Sequence, residues 1–142
     1  MKPIQLRFAT TSLLLTSLIA ANTYAHDLVL KVDQIKQVKG TMMVALYNSE
    51  SNYKSNNNTF SGQKIAVTTN TLTVNFGDVP EGEYAIKLYQ DENDNGQIDK
   101  NLIGIPTEGY GFSNNGGSMG QPSFDDAKFK VSGTTKIDIH LH

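Results

Sequence analysis

Nine consecutive residues carry the most specific chemical pattern in the chain. Asp91-Glu92-Asn93-Asp94-Asn95-Gly96-Gln97-Ile98-Asp99 places oxygen-bearing side chains at alternate positions, a glycine sixth and an aspartate ninth. This order matches the first nine positions of a calcium loop, in which alternate side chains turn inward around one ion. The glycine permits the bend, Gln97 in seventh place offers its backbone carbonyl, and Ile98 is the apolar plug. The pattern then departs from that template, because position 12 is Leu102 where a bidentate glutamate would stand. No long helical pattern flanks the loop either. A carboxylate from elsewhere would have to complete the shell, with Glu108, Asp125 and Asp126 as candidates. With Asp91 and Asp99 as the only inward carboxylates, calcium affinity is expected to be weak, on the order of 10⁻⁴–10⁻³ M. The same residue types also build Asx turns, which hold a bend through side-chain-to-backbone bonds without an ion. Both readings are open at this level.

The other reactive side chains are sparse. There is no cysteine, which excludes thiolate metal sites, a thiol nucleophile and a disulfide framework. The histidines are His26, His140 and His142, all near the ends of the folded segment. An exported chain cut before His26 would expose an N-terminal amine beside an imidazole, and a second histidine could complete a copper site of neutral nitrogen donors. His140 and His142 are expected on one face of the last strand. Solvated chain ends are the plainer reading of all three. A Ser-His-acid arrangement is hard to build from terminal histidines, so no enzymatic activity is expected. Asp125-Asp126 suggests capping or solvation, since neighbours on an extended segment point opposite ways. Tyr110 and Phe112, flanked by Gly109 and Gly111, are a candidate binding surface for stacking on a sugar or peptide, or alternatively core anchors.

The elements that must position these residues begin after an N-terminal leader. Lys2 and Arg7 precede an apolar stretch from Phe8 to Ala21, followed by Asn22-Thr23-Tyr24-Ala25 with small residues at the −3 and −1 positions. This is the pattern of a cleavable secretory signal over residues 1–25, and the apolar run is short for a membrane anchor. The expected product is a periplasmic or secreted domain from His26 to His142, without a membrane span. Cleavage removes two of the 12 basic residues and none of the 14 acidic ones, moving the formal charge from −2 to −4. That balance argues against a nucleic-acid partner. A monomer acting on an unidentified envelope or extracellular ligand is the expected state.

Period-two patterning dominates the remainder. Leu28, Leu30 and Val32 alternate with polar neighbours; Thr41–Tyr47 is an apolar run; Lys64–Thr68 and Leu72–Phe76 form two short strands joined by a turn. Pro80-Glu81-Gly82 leads into the strand Tyr84–Tyr89, and Lys128–Val131 with Lys136–Leu141 reads as a closing hairpin. Residues 48–63 read as an exposed Ser/Asn/Gly loop. Seven such strands imply an all-β fold, an antiparallel β-sandwich of immunoglobulin-like or transthyretin-like type. Gln90–Ala127 shows no strand pattern and is expected to be one long ordered excursion, pinned by Ile103, Ile105, Tyr110, Phe112 and Phe124. Long loops of this kind are usually functional.

The stretch from Asp91 through Leu102-Ile103-Gly104-Ile105-Pro106-Thr107-Glu108-Gly109-Tyr110-Gly111-Phe112-Ser113-Asn114 resembles the bacterial family known as domain of unknown function 2141. Val79-Pro80-Glu81-Gly82-Glu83-Tyr84-Ala85 and Pro122-Ser123-Phe124-Asp125-Asp126-Ala127-Lys128-Phe129 are similar to its other blocks. The resemblance implies a small, exported, β-rich protein with no assigned biochemical activity. It adds no catalytic residue.

Overall fold

The computed structural model describes residues 25–142. Of the expected signal segment only Ala25 falls among them, as the first residue of β1; the remainder lies outside the described residues. The elements are β1 (Ala25–Asp33), β2 (Thr41–Tyr47), helix α1 (Glu50–Ser55), β3 (Ser61–Ala66), β4 (Leu72–Pro80), β5 (Gly82–Asp91), β6 (Tyr110–Phe112), a 3-10 turn (Ser113–Asn115), helix α2 (Phe124–Ala127), β7 (Phe129–Val131) and β8 (Thr135–His140).

The strands form two sheets. One has the order β4-β1-β8; the other runs β3-β2-β5-β6, with β7 also pairing β5. Alternation sends Leu28, Leu30 and Val32 of β1 and Val74 of β4 to one side, against Met42, Val44 and Leu46 of β2 and Ile86 and Leu88 of β5. All are almost wholly buried, and Val131 and Ile139 close the same core. A fully buried aliphatic side chain is worth about 1.5–3 kcal/mol against exposure, so this inter-sheet layer holds the fold together. The expected sandwich is present.

Several details differ from the sequence expectation. The described residues form eight strands, and β8 pairs β1 in parallel, from Leu28 beside Thr135 to Asp33 beside His140. The expected closing hairpin does not form: β7 joins β5 in one sheet while β8 joins β1 in the other. The strands around 64–76 likewise part, β3 to β2 and β4 to β1. β4, β8 and β3 gain ladders of seven, six and six residue pairs on the strands they join, and β7 gains three on β5.

The loop read at 48–63 contains α1. Its cap is local: the Ser49 side chain accepts from Asn52 N–H, Glu50 and Lys54 sit at favourable ends, and Asn56 closes the helix in the left-handed region at φ 53°. The helix buries Tyr53, which packs edge-on against Tyr47 and Phe124. Tyr47, Tyr53, Ala85, Phe124 and Ala127 make a second small core on the outer face of the larger sheet, under α1 and α2. Burial pushes the Tyr53 hydroxyl's pKa up, helped by Tyr47 and Asp126.

The excursion is also more ordered than its composition suggests. β6 pairs residues Lys87–Tyr89 of β5, and β7 pairs Gly82–Tyr84 on the same side. Ser113 spans the gap between them: its buried hydroxyl accepts from Ile86 N–H at 2.9 Å and donates to the Ala127 carbonyl. Among the expected anchors only Phe124 is buried. Ile103 and Ile105 are exposed, while Tyr110 and Phe112 are half-buried on the outer face.

Candidate functional site

Two features of the larger sheet could carry function, one at its end and one on its outer face. The first is the Asp91–Asp99 loop. Asp91 ends β5 opposite Thr41 and is 3% exposed. Its two carboxylate oxygens accept from Asn95 N–H at 3.0 Å and Gly96 N–H at 2.7 Å. Asn93 and Asn95 donate their side-chain amides to the two oxygens of Asp99, at 2.7 and 2.9 Å. The side chains of 91, 93, 95 and 99 are therefore brought together, as their spacing predicts. Gln97 differs: its N–H bonds to the Asn95 side chain at 2.9 Å. The alternate oxygens that were candidate calcium ligands accept from the loop's own N–H and amide donors, which is the Asx-turn arrangement. Among the described residues no group of three or more His, Asp or Glu side chains is placed to hold a metal ion.

Glu108 completes this loop by a different route from metal ligation. It is 7% exposed, and its two oxygens accept from Glu92 N–H and Asp99 N–H, each at 2.8 Å. One carboxylate thus joins the two ends of the loop. Asp125 and Asp126 are not near; they sit in the first turn of α2, where Asp126 bonds Ser123 and Asp125 pairs with Lys128. Gln90, 1% exposed, donates to the carbonyls of Gln37 and Lys39 at 2.7 and 2.8 Å, and Thr41 Oγ1 donates to Asp94 at 2.7 Å. Sequence reading ended the strand at Tyr89 and placed Gln90 at the start of the excursion, whereas β5 runs on to Asp91 and carries Gln90 inside the sheet. Glu108 lacks any spacing signal of its own.

The histidines are not brought to one place. Parallel pairing sets His140 beside Asp33, and its Nδ1 contacts the Asp33 carboxylate, holding that carboxyl below its ordinary pKa. His26 lies seven positions earlier on β1, about 23 Å away along an extended strand. β8 ends at His140, and His142 beyond it stacks on Tyr110 at 5.3 Å and contacts the Gly116 carbonyl.

The second feature is a groove of about 1090 Å³ over the outer face of β2, β5 and β6. Register explains its floor and wall. Tyr89 lies between Met43 and Tyr110; Lys87 lies between Ala45 and Phe112. β6 turns its small residue inward, since a Cβ on Gly111 would fall 2.6 Å from Ile139 Cγ2. Only glycine lets β6 approach β8 so closely, and alternation then sends Tyr110 and Phe112 outward to the groove. Its far wall comes from the excursion: Ile98, Ile105 and Met119, the last fully exposed. The candidate binding surface at Tyr110 and Phe112 is thus part of a larger concavity that also includes Lys87, which strand alternation alone marks only as outward-facing.

Lys87 sits over the Tyr53 ring at 3.9 Å and the Tyr47 ring at 5.3 Å. Its ammonium donates to the Tyr53 carbonyl and to Asn56 Oδ1. Burial lowers its pKa to about 8. The Tyr89 hydroxyl is raised, first by burial and then by the carboxylates of Asp91 and Glu108.

Two stacked sheets, a self-bonded Asx loop at one end and an apolar groove on the larger sheet define an all-β sandwich protein. The chain belongs to the DUF2141 family, described as an uncharacterized protein conserved in bacteria, whose model matches residues 30–139, from within β1 to within β8. No curated protein and no solved structure shows significant similarity to it. Among the described residues no helix is long and apolar enough to cross a membrane.

Proposed function

We propose that this protein is an exported, periplasmic or secreted, non-enzymatic binding module whose ligand lies in the groove walled by Tyr110 and Phe112. The observation that carries this reading is the outward placement of aromatic and sulfur-bearing side chains, Tyr89, Tyr110, Phe112, Met43 and Met119, around one open concavity. Apolar surfaces gathered in this way on a small protein mark ligand sites. The neutral fluorophore N-phenyl-1-naphthylamine is expected to bind saturably with enhanced emission. Phe112→Ser should weaken that binding about tenfold, the value of roughly 1.4 kcal/mol of lost apolar contact. Unchanged binding by a folded Phe112→Ser protein would place the ligand elsewhere.

The Asp91 loop serves this module by fixing the start of the excursion, and we further propose calcium as a weak occupant. The convergence of Asp91, Asn93, Asn95 and Asp99 supports that reading, since rotating the two amides would present oxygens in place of N–H groups. At a Kd near 1 mM, about 5 mM calcium adds about 1 kcal/mol, a rise of several degrees in Tm. A melting curve unmoved by calcium, with no heat on titration, leaves the loop as an Asx cluster alone.

A further inference from the structure

The charges around the groove narrow its ligand. Three lysines line it, Lys64, Lys87 and Lys100, and no aspartate or glutamate does. None of the three makes an ion pair among the described residues; of the seven other described lysines, Lys31, Lys39, Lys128 and Lys130 do and Lys36, Lys54 and Lys136 do not. What sets the groove apart is that three cations gather around one concavity with no lining carboxylate, on a chain whose net charge is negative. Inside the groove the lysines face apolar surface with no carboxylate among the lining residues.

Lys87 is the most constrained of the three. Two of the three ammonium donors are taken by the Tyr53 carbonyl and Asn56, leaving one N–H. It rises from the middle of the sheet floor, between Ala45 and Phe112, at the foot of the apolar wall. A partly buried cation beside apolar surface is best satisfied by an anion that brings its own apolar body. The headgroup should carry a single charge. The one N–H that Lys87 has free matches a single charge, and the guanidinium forks that grip phosphate bidentately are absent from the groove.

We infer that the groove binds a monoanionic amphiphile, a carboxylate on an apolar chain, with Lys87 as its counter-ion and Tyr89, Phe112 and Met119 along its body. This rests on the groove being the binding surface and specifies the ligand class.

The test is calorimetric titration of the purified protein with octanoate, 1-octanol and octylammonium. Octanoate should bind tightest, with octanol about tenfold or more weaker and octylammonium weakest. Lys87→Met should bring octanoate down to the octanol affinity and leave octanol unchanged. The pH profile separates a charge role from a packing role. Lys87 is faced by the Tyr47 and Tyr53 rings and Asn56, and the other titratable groups of the groove are Lys64, Lys100, Tyr89 and Tyr110. Because burial already holds the Lys87 ammonium near its deprotonation point of about 8, octanoate affinity should fall between pH 7 and about 9.5 in the wild type. It should fall much less in Lys87→Met. Equal affinity for octanoate and octanol, or undiminished octanoate binding by Lys87→Met, overturns the counter-ion and leaves the groove as a neutral site. No heat with either ligand, and no Phe112-dependent fluorophore binding, overturns the groove itself.

Discussion

Alanine at Gly40 should destabilise this protein far more than alanine at Gly77, although both glycines have nearly the same positive φ, 67° and 68°. A Cβ at position 40 would lie 2.0 Å from the Asp91 carbonyl oxygen and 2.8 Å from Glu92 Cα, both backbone atoms that cannot rotate away. At Gly77 nothing lies within 4 Å. The left-handed conformation costs a non-glycine residue about 1–2 kcal/mol, and forcing an atom into packed backbone adds about 1–3 kcal/mol. Gly77→Ala should therefore lose only the first contribution, and Gly40→Ala about 2–5 kcal/mol. For a domain of this size that is a fall in Tm of roughly 10–20 °C. The displacement also bears on the loop. Relieving the clash moves β2 from Asp91, breaking the Thr41–Asp94 contact and the Val67 N–H bond to the Gly40 carbonyl. Thermal melts of the two variants, run together, check this; equal losses would mean that the end of the sheet yields without resistance.

Replacing Glu108 by Gln should cost about 2–4 kcal/mol, the second large effect. The native carboxylate accepts two backbone N–H bonds in a nearly buried position. A charge-assisted bond is worth about 1.5–3 kcal/mol, and the amide can replace only one of them while turning an N–H group toward the other donor. The loss should be local as well as global. Protease cleavage should increase between residues 92 and 108, because the carboxylate is what joins the two ends of that segment. Asp125→Asn is the comparison, since it removes only an exposed ion pair with Lys128. Similar melts and cleavage for the two variants would remove Glu108 as the clasp of the loop. The pair also separates clasp from metal: a clasp acts with or without calcium in the buffer.

Both predictions concern contacts between residues far apart in the chain, and these are what sequence reading does not reach. Leu28, Leu30 and Val32, or Leu72 and Val74, announce a buried face by alternation alone, because a strand's side chains must alternate. The Asp91–Asp99 spacing likewise announces a tight turn of converging oxygens, since the contacts lie within nine residues. Ser49, Glu50 and Asn56 did carry helix-end signals, obscured by a Ser/Asn-rich composition that also suits loops. Ser113 and Lys87 gave no comparable sign, and Glu108 stood only as one of three candidate carboxylates for the loop. Their roles depend on Ile86, Tyr53 and Glu92, respectively 27, 34 and 16 residues from Ser113, Lys87 and Glu108.

The all-β character, the alternating core faces and the sharp polar bend after β5 are legible along the chain, because all follow from local backbone and side-chain geometry. Family membership was equally legible, carried by the glycine-aromatic block. Which strands share a sheet was settled only in three dimensions, where β7 and β8 abandoned their short hairpin for the open edges of β5 and β1. The groove belongs to the same level. It exists because Gly111 lets β6 approach β8, which faces Tyr110 and Phe112 outward, and because pairing with β2 and β6 sets Lys87 among aromatic rings. Neither proximity is encoded by spacing along the chain.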